Sequence, residues 1–428
     1  MTRHRPPAGN WLVLVLLYGC QAPPVPPDAG RLLDEAVAAL RAGRFETAQE
    51  FVQQAERADP RSIAVAEWAS VLAELAWRDD AAIAAQRRAV QLAQDPAVAE
   101  PHRAALAGRL GELLFAAGRW GEATGWLETG AIGDEATRRR AFAAVSRALP
   151  YVRTTTGPFL SEQRLLPGDG PEFACGADGV QRSLAIDTGT SMTTFASTLA
   201  GEFGVRARGA AGTAVDGAGQ ALTTELGYVE SFTVGEVDVG AWPVLVVADA
   251  AMRLQDRHGG PERAPRGVIG LDLLAAFRLT IDPERASIVL ERPSGLVPTE
   301  SVQCVRVEGR CLVPVAVEGV RLWFVLDTGA SHSSLTAAGL AALPGGADRA
   351  TPAFRRVRTL GGSLVAVREV RDLVLRVSEA RFQGVQLPVV PRVASEFFPV
   401  HGVLGNDLLS RCRVTLDTGR ARLTAIRT

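Results

Sequence analysis

Leu-Ala-Ile-Asp-Thr-Gly-Thr-Ser at residues 184–191 returns as Phe-Val-Leu-Asp-Thr-Gly-Ala-Ser at residues 324–331. In both stretches an Asp-Thr-Gly tripeptide closes an apolar run and opens into small residues. A carboxylate at the end of a buried strand is costly unless neighbouring groups stabilise it. Two such carboxylates, Asp187 and Asp327, stand 140 residues apart and predict two half-sites that meet. For a single copy, a polar turn after a strand would be the simpler interpretation.

The similarity continues downstream of each tripeptide. Val-Ile-Gly-Leu-Asp-Leu-Leu at residues 268–274 matches Val-Leu-Gly-Asn-Asp-Leu-Leu at residues 403–409, an offset of 135 residues. Asp282 and Asp417 follow at the same offset. Self-similarity at a fixed offset indicates duplicated structural units.

This ordered set of motifs resembles the aspartic peptidases, in which two Asp-Thr-Gly loops face one another and their carboxylates share a proton. The resemblance covers roughly residues 172–428 and implies an all-β, bilobal fold. It places one lobe at residues 172–294 and the other at residues 302–428. In that family a segment ending apolar-apolar-Gly passes beneath each loop, as residues 268–270 and 403–405 would. The short lobes resemble the retroviral type more than the pepsin type. Because one chain supplies both halves here, a monomer is expected to suffice.

The resemblance implies catalytic roles for Asp187 and Asp327. Two carboxylates about 3 Å apart cannot both ionise, so one is held protonated and the other charged. The charged one activates a water that attacks a peptide carbonyl, and the protonated one donates to that oxygen. The expected activity is that of an aspartic-type endopeptidase acting on a peptide or protein, with no cofactor and no metal. The alternative is a catalytically inactive, peptidase-like lipoprotein that binds peptides through its N-terminal helices.

Supporting roles are implied for five small residues: Thr188, Gly189, Thr190, Thr328 and Gly329. By the resemblance, the two threonines after the aspartates hydrogen-bond across the lobe junction. The glycines lack a Cβ, so their N–H groups approach a carboxylate. The Thr190 hydroxyl is placed to bond Asp187, whereas Ala330 offers no such group to Asp327. The two carboxylates are therefore expected to be inequivalent.

A third Asp-Thr-Gly, residues 417–419, aligns with Asp282-Pro283 and not with either loop. Asp followed by Pro indicates a turn, so this copy is interpreted as a hairpin connection. Hairpin signals also occur at residues 215–220 and 359–364. By position they resemble the flaps that close over substrate in retroviral-type peptidases; a surface hairpin without a lid role is the alternative.

The N-terminus predicts export. Residues 1–20 combine basic residues, a short apolar run and the ending Leu17-Tyr18-Gly19-Cys20. The run is too short to span a bilayer and has the proportions of a signal peptide. Its end resembles a bacterial lipobox, which implies lipidation of Cys20, a membrane anchor and the periplasmic side of a bacterial cell envelope. An ordinary secretory signal with a chance Cys is the alternative. Residues 21–29, rich in Pro, would form an extended tether.

Residues 30–148 are Ala-rich, with apolar residues at helical spacing. Related segments around Ala48 and Ala82, 34 residues apart, and around Ala123 resemble tetratricopeptide repeats. These all-α repeats imply either a face that binds a protein partner or a helical spacer. Residues 149–171, with several Pro and Gly breakers, are expected to link them to the β region.

Composition excludes several other classes. The formal net charge of −1 argues against nucleic acid as an electrostatic partner. All 46 basic residues are Arg, so neither a phosphate-loop Lys nor a Schiff-base Lys exists. After Cys20 four cysteines remain, which permit two disulfides or four buried thiols: Cys175, Cys304, Cys311 and Cys412.

Overall fold

The computed structural model describes residues 27–153, 160–165, 171–215, 221–252, 267–293, 300–359, 362–390, 395 and 397–428. The expected signal peptide with Cys20, most of the tether and both hairpin tips, residues 216–220 and 360–361, lie outside these ranges. No helix in the described ranges is long and apolar enough to cross a membrane.

Seven helices form the N-terminal region. They are α1 Pro27–Arg41, α2 Phe45–Ala58, α3 Ile63–Leu75, α4 Asp79–Leu92, α5 Glu100–Ala116, α6 Trp120–Thr129 and α7 Ala136–Ala148. The first six pack as three hairpins, α1 with α2, α3 with α4 and α5 with α6.

The three helical hairpins share one turn. The second residue after the first helix of each hairpin has a positive φ: 68° at Gly43, 60° at Trp77 and 72° at Gly118. The next residue's N–H then donates to a carbonyl five positions back, at 2.9 Å in all three turns. This bond pattern closes the last helical turn and favours a residue that tolerates the left-handed region. Because all three turns have this geometry, the helical hairpins repeat in structure as well as in sequence.

The elements of the first β lobe follow in chain order, beginning with an edge strand of the sheet that joins the lobes. They are β1 Leu160–Arg164, β2 Glu172–Ala177, β3 Val180–Ile186, β4 Thr194–Ala196, α8 Ser197–Glu202, β5 Arg206–Val215, β6 Ala221–Val234, β7 Val237–Val247, β8 Gly267–Ile269, α9 Leu271–Leu274, β9 Arg278–Asp282 and β10 Ser287–Glu291.

The second lobe repeats this order with one extra strand. Its elements are β11 Val302–Gln303, β12 Val305–Val307, β13 Arg310–Val317, β14 Val320–Leu326, β15 Ser334–Thr336, α10 Ala337–Ala342, β16 Thr351–Thr359, β17 Gly362–Val377, β18 Ala380–Val390, β19 Gly402–Leu404, α11 Asn406–Leu409, β20 Cys412–Asp417 and β21 Arg422–Arg427. Short 3-10 turns lie at Gly133–Glu135, Asp249–Met252, Gly346–Arg349 and Thr418–Arg420.

The two lobes have the same sheet topology. The lobe 1 sheet has the order β2-β3-β8-β4-β7-β6-β5, and the lobe 2 sheet has β13-β14-β19-β15-β18-β17-β16 with β12 added at its edge. A third sheet, β1-β10-β9-β20-β21-β11, joins the lobes through the antiparallel pair β9 and β20. From one end this sheet has β1, β10 and β9 of lobe 1, and from the other end it has the equivalent strands β11, β21 and β20 of lobe 2. A pseudo-two-fold axis therefore passes between its central strands, β9 and β20. The predicted fold class, all-α helices followed by an all-β bilobal region, is confirmed.

The segment expected as a linker contributes to this architecture. Residues 160–164 form β1, which pairs with β10 at one edge of the joining sheet. Ser161 is 2% exposed, and its hydroxyl accepts a hydrogen bond from the Glu236 N–H. An edge strand needs only one hydrogen-bonded neighbour, so a segment without a continuous apolar pattern adopts it.

The helices pack along both lobes. One core cluster unites α1, α2 and α3 with the outer faces of β12 and β14 in lobe 2. In lobe 1, Trp120 of α6 meets Trp242 of β7 edge to face, with ring centroids 6.1 Å apart. Aromatic pairs in this geometry add to the free energy of area burial. The β region therefore has one neighbour, the helical array, that contacts both lobes.

The four described cysteines are buried thiols with no disulfide. Burial raises the pKa of Cys175, and it raises the pKa of Cys412 to about 11. Of the two alternatives left open by the cysteine count, the structure contains the buried thiols.

Candidate active site

Both Asp-Thr-Gly loops start where an inner strand ends. β3 ends at Ile186 and β14 ends at Leu326, one residue before each aspartate. β8 and β19 run parallel to these strands, and the Asp187 and Asp327 N–H groups each donate to the last residue of that neighbour at 3.1 Å. The apolar-apolar-Gly segments thus lie directly beside the loops, as the resemblance implies.

The glycines that end these segments are required by the contact. A Cβ on Gly270 would lie 2.4 Å from the Met192 carbonyl carbon, and a Cβ on Gly405 would lie 2.7 Å from that of His332. Any side chain at either position would push the loop away from the strand beneath it.

Reciprocal hydrogen bonds between the two threonines join the loops. The Thr188 hydroxyl donates to the Leu326 carbonyl at 2.8 Å and accepts from the Thr328 N–H at 3.1 Å. The Thr328 hydroxyl donates to the Ile186 carbonyl at 2.7 Å and accepts from the Thr188 N–H at 3.0 Å. Both threonines are almost fully buried, so each bond is shielded from water. This arrangement fixes the two loops relative to each other across the lobe junction.

The carboxyl groups of Asp187 and Asp327 lie next to each other at the junction, close enough for the charge of Asp187 to raise the pKa of Asp327. Each carboxyl also lies against the opposite glycine. A Cβ on Gly189 would stand 2.5 Å from the Asp327 Cγ, and one on Gly329 would stand 2.6 Å from the Asp187 Cγ. Only glycine leaves the space that the opposite carboxyl occupies.

The two carboxyls receive different donors. The Gly189 N–H donates to Asp187 Oδ1 at 2.9 Å, and the Thr190 hydroxyl donates to Oδ2 at 2.7 Å. In lobe 2, the Gly329 and Ala330 N–H groups both donate to Asp327 Oδ1, at 2.9 and 2.8 Å. Asp187 therefore has a donor on each carboxyl oxygen, whereas the described donors to Asp327 both bond the same oxygen.

Burial raises the pKa of both aspartates, Asp187 and Asp327. Desolvation raises the pKa of Asp187, although the Thr190 hydroxyl and the Gly189 N–H oppose the shift. Desolvation, followed by the nearby charge of Asp187, raises the pKa of Asp327 to about 8. A hydrogen bond to the charged form favours that form. Burial thus opposes ionisation of both carboxyls, and the described donors to both oxygens of Asp187 favour its charged form.

A second pair of aspartates supports the loops, and the sequence comparison had not singled it out. Asp272 Oδ1 accepts from the N–H and hydroxyl of Thr193, at 2.8 and 2.9 Å. Asp407 Oδ1 accepts the equivalent pair from Ser333, both at 2.7 Å. The Thr193 and Ser333 hydroxyls in turn accept from the N–H groups of the two segment glycines. Burial raises the pKa of Asp272 to about 6. The Gly-x-Asp-Leu-Leu pattern, which the sequence repeats, could have identified Asp272 and Asp407 as an equivalent pair.

Asn406 is a further residue that sequence reasoning missed. Its side-chain Nδ2 donates to the Thr328 carbonyl oxygen at 2.6 Å. The residue at the same place in lobe 1 is Leu271, whose side chain has no hydrogen-bonding atom and is 3% exposed. The two loops are thus held in different ways behind the same tripeptide.

The third Asp-Thr-Gly lies away from this site, in the joining sheet. Asp417 ends β20, and residues 418–420 form the turn that leads to β21. Asp282 ends β9 before the equivalent β9–β10 connection, where its Oδ1 accepts from two turn N–H groups at 3.1 Å. The hairpin interpretation of this copy is correct. No group of three or more His, Cys, Asp or Glu side chains in the described ranges is placed to hold a metal ion.

Comparison with known proteins identifies the same two regions. Residues 175–273 and 313–408 each match a family model described as aspartyl protease, one match in each lobe. The two matches thus fall in the two similar lobes expected from the sequence. No curated protein sequence matches the chain.

Two solved structures illustrate the similarities found. Conglutin gamma, a basic 7S globulin from lupine seeds, is 10% identical with a TM-score of 0.36, over 64% of this chain and 96% of that one. The aspartic proteinase from Irpex lacteus is 12% identical with a TM-score of 0.37, over 64% of this chain and 98% of that one.

Proposed function

We propose that the chain is an aspartic-type endopeptidase, a hydrolase of peptide bonds whose catalytic dyad is Asp187 and Asp327. The observation that carries this proposal is the adjacency of the two carboxyls, each of which lies against the opposite glycine between loops that the threonines join. A binding cleft without chemistry has no need for two adjacent carboxyls that raise each other's free energy of ionisation. The aspartyl protease family matches in both lobes support the same conclusion.

The mechanism follows from the inequivalent donors. Asp187, stabilised as the anion by Thr190 and Gly189, accepts a proton from a water bound between the carboxyls. That water attacks the peptide carbonyl carbon while Asp327 donates its proton to the carbonyl oxygen. As the tetrahedral species collapses, Asp187 gives its proton to the leaving nitrogen, one hydroxyl of the diol returns a proton to Asp327, and the C–N bond breaks. Both halves of the dyad come from one chain, so a monomer suffices in this proposal.

A peptide library tests the proposal. The full chain is incubated with a mixed peptide library at several values between about pH 3 and pH 8, a range that spans the ordinary carboxyl pKa of 3.8 and the raised pKa of Asp327 at about 8. New N-termini should appear with the wild-type chain and be missing with the double variant Asp187→Asn/Asp327→Asn. Equal cleavage by the double variant, purified in parallel, would show a contaminating peptidase and refute the proposal.

We propose that the helices are tetratricopeptide-like repeats whose protein partner is the β region of the same chain. The turn of the first hairpin accepts a 2.9 Å hydrogen bond from the Trp323 indole at the Gly43 carbonyl. At the second turn, Arg306 stacks on Trp77 at 5.0 Å. Trp120, just after the third turn, contacts lobe 1 through Trp242. Hydrogen exchange of α1 to α6 should therefore rise in a Trp120→Ala/Trp323→Ala variant. Unchanged exchange would contradict the proposal that the β region is the partner of the helices.

We also propose that Cys20 is lipidated and that the mature protein faces the periplasm of a bacterial cell. The lipobox-like ending and the Pro-rich residues 21–29 support this proposal. A single acyl chain binds membranes only marginally, whereas a processed lipoprotein carries several and is retained. Cys20→Ala should leave the protein unprocessed or release it from the membrane fraction. Normal cleavage with unchanged membrane association in that variant would contradict the anchor.

A further inference from the structure

The peptide unit between Thr328 and Gly329 links Asn406 to Asp327. At one end of this unit, the Asn406 side-chain N–H donates to the Thr328 carbonyl at 2.6 Å. At the other end, the Gly329 N–H donates to Asp327 Oδ1 at 2.9 Å. Hydrogen bonds in such a chain polarise one another, so a donor on the carbonyl strengthens the bond made by the N–H. The amide must present nitrogen here, because a carbonyl oxygen only accepts.

Lobe 1 makes the corresponding interaction differently. The Gly189 N–H donates to Asp187 Oδ1 at the same 2.9 Å, but Leu271 stands where Asn406 stands and provides no donor. Asp187 instead receives the Thr190 hydroxyl directly on Oδ2 at 2.7 Å. Lobe 2 has Ala330 at that position and offers no hydroxyl. Each carboxyl thus depends on one side-chain donor, direct in lobe 1 and relayed through a peptide in lobe 2.

We propose that Asn406 is a positioning residue of the dyad, which orients and polarises the Thr328–Gly329 peptide toward Asp327. The inference rests on the proposed peptidase function and deepens it. Asn406 does not reach the reacting atoms itself. It replaces, through the backbone, the hydroxyl that Ala330 lacks.

Kinetics of Asn406→Leu, which copies the lobe 1 residue, test the proposal in the full chain. A misplaced carboxyl lowers the rate of the chemical step, so kcat should fall about 10- to 100-fold with KM little changed. The weaker Gly329 bond favours the protonated form of Asp327, so the basic limb of the pH profile should move to higher pH. Ser410→Ala is the matched control, because Ser410 is exposed on the same turn and bonds only the Asn406 backbone carbonyl among the described residues. Its kinetics should match wild type.

A rescue variant separates positioning from general stability. Ala330→Thr introduces the hydroxyl that lobe 1 carries, placed to donate to Asp327 Oδ2. In the Asn406→Leu background it should recover most of the lost kcat and return the basic limb toward wild type. A purely structural role for Asn406 would leave the double variant as slow as Asn406→Leu. That result would overturn the proposal.

A second substitution covers a folding failure of Asn406→Leu. Asn406→Asp has the same shape without the N–H donor, and circular dichroism verifies that it folds. A folded Asn406→Asp should show the same loss of kcat, and unchanged kcat with an unchanged pH profile would overturn the positioning role. If wild type cleaves no peptide at any pH, the peptidase proposal itself fails. If wild type cleaves and both Asn406 variants behave like it, only this inference fails.

Discussion

Lobe 1 and lobe 2 are built from the same strand order, yet the inner strand before each aspartate meets a different environment. In β3, Gln181 and Ser183 point outward and are exposed. In β14 the equivalent residues are Arg321, which is also exposed, and Trp323; Trp323 and the next outward residue, Val325, are each 2% exposed beneath α1 to α3. One strand is buried on one face only and the other on both.

The difference in burial between β3 and β14 matches a difference between their sequences. A strand with one solvated face alternates polar and apolar residues, whereas a strand covered on both faces is continuously apolar. Residues 181–183 are polar, including the exposed Gln181 and Ser183, whereas residues 322–326 are apolar throughout. The two lobes share one topology and differ at the surface of lobe 2 that the helices α1 to α3 cover. Substitutions of the aspartates that both lobes carry should have the largest effects. Substitutions at the strand positions where the lobes differ should have smaller ones.

The shared aspartates should give the largest effect. Asp187→Asn and Asp327→Asn each remove a group that holds or accepts the shared proton, so each should lower kcat by at least about 10²–10⁴-fold. Asp417→Asn alters only a turn in the joining sheet and should leave kcat close to wild type. The measurement is the initial rate on one peptide for three purified variants, with folding checked by circular dichroism. A folded but inactive Asp417→Asn would show that the lobes have been aligned wrongly.

Trp323 and Ser183 occupy equivalent positions and should differ sharply in their effect on stability. Trp323→Ala removes a buried ring between lobe 2 and the helices, which should cost about 3–5 kcal/mol in the free energy of unfolding. Ser183→Ala changes an exposed side chain that bonds Glu172 and should stay within about 0.5 kcal/mol. Urea unfolding of both variants measures the contrast. Equal losses would mean that the helical array does not distinguish the two lobes.

The sequence was sufficient for the features that the duplication repeats. The two Asp-Thr-Gly loops, the segments beneath them and the turn at Asp417 all follow from local patterns that occur twice. It was insufficient where function depends on a difference between the copies. Asn406 and Leu271 look like variation within an otherwise matching motif, and only the hydrogen bond to the Thr328 carbonyl reveals the distinction. The packing of helices on both lobes was also beyond reach, because contacts between distant segments leave no period in the chain.

The raised pKa of the carboxyl pair should make stability depend on pH. Asp327 has a pKa raised from 3.8 to about 8, chiefly by desolvation and then by Asp187. Between these values the folded chain binds a proton that the unfolded chain has released, so the free energy of unfolding falls as pH rises. Asp327→Asn binds no such proton, and its decline in Tm from pH 4 to pH 8 should be shallower. Parallel Tm curves for the two proteins, followed by circular dichroism, would contradict the shared proton.

The smallest expected effect concerns the charged residue beside Trp323. Arg321 forms a 3.3 Å ion pair with Glu46 of α2, and its guanidinium lies 5.0 Å from the Trp323 ring. Both charged side chains are about half exposed, at 53% and 49%. Exposed pairs contribute about 0.2–1 kcal/mol because water and salt screen them. Arg321→Gln copies Gln181, the lobe 1 residue at this position, and should lower the free energy of unfolding by less than about 1 kcal/mol. Repeating the urea titration with added salt provides the control, since the difference from wild type should shrink as the pair is screened. A loss as large as that of Trp323→Ala would mean that charge, and not the buried indole, holds the helices against lobe 2. The contrast between the lobes would then lie in one ion pair instead of a covered sheet face.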